Sequence, residues 1–156
     1  MRILGIDPGS HIIGYGLINY ISGRYSSEAY GTLQVPPGTP AADTLLTIFT
    51  DMTQLLEMLT PDVMVVEQLF FFRNVSTAMS VAQARGVILL TGAQQQIPLA
   101  EYTPMQVKMT LTGYGKASKR EVQEMVKDLL VLEKIPRPDD AADGLALAIT
   151  HAHFLG

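Results

Sequence analysis

Apolar positions along this chain change their period, and each change marks a new element. Ile3, Leu4 and Ile6 form a short run over residues 2–7, apolar character resumes over 12–20 after Pro8-Gly9, and a third segment spans about 24–34 beyond Ser22-Gly23. Runs of this kind separated by tight turns predict an antiparallel meander of three strands. After Pro36-Pro37-Gly38 the period lengthens. Leu45, Ile48, Phe49, Met52, Leu55, Leu56 and Leu59 recur at helical spacing, and Pro61 closes the helix. The stretch DVMVVE reads as a short buried strand ending at Glu67, a helix rich in small residues runs from about Ser76 to Gln95, and IPLAEYT makes another strand. Three helices complete the chain. Thr103-Pro104 opens the first with a cap and a first-turn proline, Ser118-Lys-Arg-Glu121 opens the second as a capping box, and Pro138-Asp139 opens the last. Strands that alternate with helices after a meander predict an α/β layer, with helices packed on a mixed sheet.

Against this pattern four acids stand out. Asp7 ends an apolar strand, where a lone ionised carboxylate would cost several kcal/mol. Glu67 ends the strand expected beside it, and ligands in such sheets bind outside the carboxyl ends of the strands. Asp140 and Asp143, at i and i+3 on the last helix, border the stripe formed by Leu145, Ala148, Ile149 and Ala152. Acids in a first turn are favoured by the helix dipole without any further role. Asp143 lies deeper, within an Ala/Leu run that should be packed. If the four converge, each pair about 5 Å apart repels by about 3 kcal/mol at an effective dielectric near 20. A divalent cation relieves that repulsion, and an oxygen-only set suits Mg²⁺ or Mn²⁺.

Composition narrows the alternatives. At 156 residues, with 47% hydrophobic and 17% charged positions, the chain is expected to form one globular domain over 1–156. It carries no cysteine and three histidines, which removes disulfide and thiolate chemistry and disfavours a histidine-based zinc site. No apolar run reaches membrane-spanning length and no secretory pattern opens the chain, so a cytoplasmic location and no membrane partner are expected. The net charge of −4 opposes phosphate binding, yet Lys108, Lys116, Lys119, Arg120, Lys127, Lys134 and Arg137 all fall in the last third. Because Lys119, Arg120 and Lys127 are interspersed with Glu121, Glu124 and Asp128, charge alone fits an ordinary solvated helix face.

In order along the chain, GIDPG with its following Gly-Tyr-Gly, VVEQLFFFRN, AQARG, QVK, GYGKASKREVQEMV and DDAADGLALAITH resemble the RuvC Holliday junction resolvases. The resemblance implies a ribonuclease H-like fold, in which the meander and two parallel strands make a five-stranded mixed sheet flanked by helices. It implies a homodimer that nicks two opposed strands of a four-way DNA junction with Mg²⁺, two ions per site, Mn²⁺ being a possible substitute. Asp7, Glu67, Asp140 and Asp143 are then the catalytic and metal-binding acids, with Asp7 between the ions and Glu67 orienting water. Lys108 and Lys119 would hold phosphate near the scissile bond. Phe70 and Arg73 match an aromatic and a basic position at the junction centre, and Asn74, Lys116 and Arg120 are further candidate DNA contacts. Phe70, Phe71 and Phe72 also fit core or dimer contacts. Ala78, Ala82, Ala84 and Gly86 match the dimer helix, and docking on the RuvA–RuvB branch-migration complex follows from the same likeness. The pattern departs at Gly144, where many members carry alanine, and the chain ends at Gly156, short of the tail some relatives carry.

Two other readings compete. GIDPGS is also similar to the phosphate-binding opening of actin-like ATPases and sugar kinases, a class that needs two such domains. A non-catalytic junction-binding protein of the same fold is the second, and the presence of all four acids counts against it.

Overall fold

Successive side chains of a strand point to opposite faces of its sheet, and β1 (Arg2–Asp7) divides its residues in this way. Ile3 enters one core, while Leu4 and Ile6 enter the other. Gly5 and Asp7 therefore share the face of Ile3. In the computed structural model, which describes residues 1–68 and 75–156, β2 (Ile12–Ile21) and β3 (Arg24–Gln34) complete the expected meander. The helix α1 (Ala41–Leu59) leads to β4 (Val63–Glu67), and α2 (Val75–Gln94) leads to β5 (Leu99–Tyr102). The chain then runs through α3 (Pro104–Thr112), α4 (Lys119–Leu129) and α5 (Asp139–Leu155).

Strand order is β3-β2-β1-β4-β5, antiparallel within the meander and parallel from β1 to β4 to β5. The expected five-stranded mixed sheet is thus present, with element ends displaced by a residue or so. Leu4, Ile6, Met64 and Val66 pack under Ile48, Met52 and Leu56 of α1 and Ala84 and Ile88 of α2. Ile3, Val63 and Val65 pack on the other face against α3, α4 and α5. Thr103 and Ser118 cap α3 and α4 as capping boxes, each side chain bonded to the N3 amide and answered by Gln106 or Glu121. Among the described residues, no helix is long and apolar enough to cross a membrane.

The last helix departs from the predicted stripe. From Ala141 to Thr150 every residue except Asp143 is buried, because α5 lies between the sheet and the α3–α4 layer. Glycines make this possible. Gly5 pairs with Gly16 and Asp7 with Gly14 across β1 and β2, which leaves the α5-facing side of the sheet bare at Gly5, Gly14 and Gly16. A Cβ at Gly5 would collide with the Gly144 carbonyl, one at Gly14 with the Asp140 carbonyl, and one at Gly16 would lie 2.5 Å from Leu145 N. Gly144 answers from the helix side, since a Cβ there would meet Tyr15 C at 2.7 Å and Gly16 N at 2.8 Å. The helix backbone rests directly on the strands, and this contact leaves little room for a Cβ at Gly144. Helix propensity loses about 1 kcal/mol, and closer packing offsets it.

Candidate active site

Glu67 occupies the same face as Asp7. Along β4, Val63 and Val65 join the α5-side core while Met64 and Val66 join the opposite one, so alternation sends Glu67 toward α5. The parallel register Gly5↔Val65 and Ile6↔Val66 brings the two strand ends level, with Asp7 and Glu67 side by side. The glycine seat then lowers the first turns of α5 onto this edge. Oxygens of Asp7, Asp140 and Asp143 lie within 4.8 Å of one another. Glu67 stands outside that trio and reaches it through a hydrogen-bond contact with Asp7, which also contacts Asp143.

Carboxylates this close repel one another unless a proton or a cation lies between them. Burial, then the charges of Glu67 and Asp143, hold the Asp7 carboxyl well above the ordinary range. Burial also raises Glu67 against the opposing pull of its Asp7 hydrogen bond, Lys119 and Lys108. Asp143 is raised by burial, partly countered by Lys119, whose Nζ lies 3.3 Å from Asp143 Oδ2. Burial pulls the Lys119 ammonium down, and Asp143, Asp139 and Asp7 more than compensate, so its pKa ends above the usual value. The donors are all carboxylate oxygens with no nitrogen or sulfur among them, a set that fits a hard divalent cation.

Beside the acids lies a cleft of about 210 Å³, lined by Glu67, Val107, Lys108, Lys119, Val122 and Asp143. Lys108 and Lys119 thus flank the acids from α3 and α4. Lys116 is exposed in the turn before α4, and Arg120, also exposed, pairs with Glu124 at 3.0 Å. Phe70, Phe71, Phe72, Arg73 and Asn74 lie outside the described residues. One small-residue expectation changes. Ala84 is buried in the molecule's own core, whereas Met79, Gln83, Gly86 and Leu90 form the exposed stripe of α2. Sequence reasoning gave no packing or site role to the paving glycines or to Arg85, whose guanidinium meets Glu101 at 2.9 Å. Glycines alternating at positions 14 and 16 opposite Gly5 were the available signal.

Clustered carboxylates at the carboxyl ends of two parallel strands, with cations across a cleft, on a ribonuclease H-like sheet, define a nuclease of the metal-dependent class. The comparisons place it further. The family profile described as crossover junction endodeoxyribonuclease RuvC matches residues 3–151. The chain belongs to the RuvC family. It is 47% identical over 156 residues to crossover junction endodeoxyribonuclease RuvC of Fusobacterium nucleatum, covering 100% of this chain and 82% of that protein. To the protein of the same name from Heliobacterium modesticaldum it is 53% identical over 155 residues, covering 99% and 96%. The solved structure of T. thermophilus RuvC in complex with Holliday junction substrate superposes with a TM-score of 0.93 at 34% identity, covering 99% of this chain and 94% of that one.

Proposed function

We propose that this chain is a Holliday junction resolvase, a structure-selective endodeoxyribonuclease that cuts two opposed strands of a four-way DNA junction by paired, symmetric hydrolysis. It would act in the cytosol during recombination and repair. The observation that carries the reading is the convergence of Asp7, Asp140 and Asp143, with Glu67 in contact, beside two lysines. Retention of all four acids favours an enzyme over a non-catalytic junction binder of the same fold.

Asp7, Glu67, Asp140 and Asp143 would hold Mg²⁺, two ions per site, with Mn²⁺ able to replace it. Bound there, the cations supply a Lewis acid for the scissile phosphodiester and acidify a water molecule. The protein's own groups do the rest. Glu67, held in contact with Asp7, orients the attacking water and takes up its proton. Water oxygen bonds to phosphorus as its proton passes to Glu67, one P–O ester bond breaks, and the leaving oxygen takes a proton from solvent. Lys108 and Lys119 fix the phosphate and offset the charge that grows on it. Lys119 lies 3.3 Å from Asp143 Oδ2, which sets its ammonium at the edge of the acidic cluster where the phosphate would sit.

A two-fold dimer suits the near two-fold symmetry of a junction. The stripe Met79, Gln83, Gly86 and Leu90 is its proposed face, because a Cβ at Gly86 meets nothing within 4 Å and a partner helix has room to approach. Phe70, Arg73 and Asn74 are proposed for the junction centre on the strength of the resemblance, with Lys116 and Arg120 on the flanking arm.

The reading is tested with a mobile four-way junction and a linear duplex, each incubated with Mg²⁺, Mn²⁺ or chelator, with nicks mapped on all four strands. Paired symmetric nicks confined to the junction and lost in chelator are expected. Tight junction binding without nicks at any sequence the junction presents would leave the fold and remove the chemistry. Lys119→Ala is expected to slow cleavage about a hundredfold at saturating Mg²⁺, because the charge growing on the phosphate loses one of the two lysines beside the cleft. A wild-type rate in single-turnover assays would remove Lys119 from phosphate stabilisation.

A further inference from the structure

Arg85 belongs to the Ala-Gln-Ala-Arg-Gly run, which the resemblance includes without a role. From α2 its side chain reaches the carboxyl ends of two strands, and only 17% of it remains exposed. Nε donates to the main-chain carbonyl of Glu67 at 3.1 Å, and Nη2 lies 2.9 Å from Glu101 Oε1. Glu101, on β5, is paired in register with Val66 and accepts a 3.5 Å hydrogen bond from Gln68 Nε2 on its other oxygen. The backbone on either side of the Glu67–Gln68 peptide is therefore held twice. The Gln68 amide is tied to the Tyr102 carbonyl at 2.9 Å, and the Glu67 carbonyl is tied to Arg85.

Two directed donors on one rigid plane are what a guanidinium supplies and an ammonium does not. A lysine could keep the charge beside Glu101 or reach the carbonyl, but a single nitrogen does not reproduce the fork. The contact falls on the residue whose carboxyl meets Asp7, where a strand has just ended and its backbone has few ladder bonds left to hold it.

We infer that Arg85, braced by Glu101, is a positioning residue for Glu67: it holds the backbone from which the Glu67 carboxylate reaches Asp7 and so tunes the affinity of the acidic cluster for its cation. The inference rests on the reading of these carboxylates as a cation site. Arg85 itself touches neither cation nor DNA in this role. Its effect passes through Glu67 alone, which separates positioning from general bracing of the fold.

The test is calorimetric titration of Mn²⁺ into metal-stripped full-length protein, without DNA. Arg85→Lys is expected to weaken Mn²⁺ binding about tenfold, the scale usual for groups that orient a ligand from behind, with junction binding in chelator unchanged. Glu101→Gln, which keeps the shape and removes the charge, should shift it in the same direction by less, and it serves where Arg85→Lys folds poorly. In a Glu67→Gln background, Arg85→Lys should cost nothing further, because residues acting through one another are not additive. Wild-type affinity in both single variants overturns the inference, as does an equal loss in the Glu67→Gln background. Failure of the wild type itself to take up Mn²⁺ overturns the cation-site reading and this inference with it, an outcome distinct from intact wild-type binding with unaffected variants.

Discussion

Asp7→Asn is expected to abolish junction cleavage, a loss on the order of a thousandfold or more, while junction binding in chelator is unweakened. Asparagine preserves the volume and one acceptor oxygen at the end of β1 but removes the charge that contacts both Glu67 and Asp143. The same change should stabilise the metal-free protein. Burial and two neighbouring carboxylates hold the Asp7 carboxyl well above the ordinary range, so the folded state keeps a proton that the unfolded chain gives up. With more protons bound in the folded state, stability falls as pH rises from about 4, the unfolded carboxyl value, toward the raised folded value. The penalty is absent below that window and complete above it. Melting curves in chelator should therefore place Asp7→Asn above the wild type at neutral pH, with the gap closing under acid conditions, and divalent cation should raise the wild type more than the variant. A variant that melts lower than wild type at neutral pH and binds junctions poorly would make Asp7 a structural residue.

Three of the four acids were legible because each broke a local pattern, whereas Asp140 sits in a first turn that the helix dipole accounts for. Asp7 and Glu67 interrupt apolar strands at their carboxyl ends, and Asp143 interrupts an Ala/Leu run where the dipole of a first turn no longer accounts for it. Element boundaries were legible for a related reason, since Pro36-Pro37-Gly38, Pro61 and the two capping boxes act over a few residues of sequence. What pairs across the fold was not. Nothing local to Arg85 indicates that Glu101 and the Glu67 carbonyl will be its partners, 16 and 18 residues away. Burial of α5 on nearly all sides was hidden for the same reason, because alanine is compatible with either a buried or an exposed helix face. The glycines of β1 and β2 were visible as residues, but a strand glycine does not say which backbone approaches it.

That approach has the largest consequence for stability. Gly5→Ala is expected to destabilise the chain by about 3 kcal/mol or more, at or beyond the upper end of ordinary overpacking, because the new Cβ meets backbone on α5 rather than a side chain that could turn aside. It would collide with the Gly144 carbonyl and lie 2.9 Å from Ala148 N, so α5 has to lift as a unit. At about 2–4 °C per kcal/mol for a chain of this size, the melting temperature should fall by roughly 6–12 °C. Cleavage should suffer more than folding does, since α5 carries Asp140 and Asp143 and a displacement of about 1 Å in a reacting group can cost on the order of a hundredfold. Gly144→Ala presses on the same seam from the helix side with contacts of 2.7–2.9 Å. There alanine recovers about 1 kcal/mol of helix propensity, so its net cost should be the smaller of the two. Calorimetry on both variants in chelator, beside cleavage at saturating Mg²⁺, gives the ordering. A Gly5→Ala protein that melts and cuts like the wild type would mean that α5 does not rest on the glycine floor, and that something other than this contact carries Asp140 and Asp143 to Asp7.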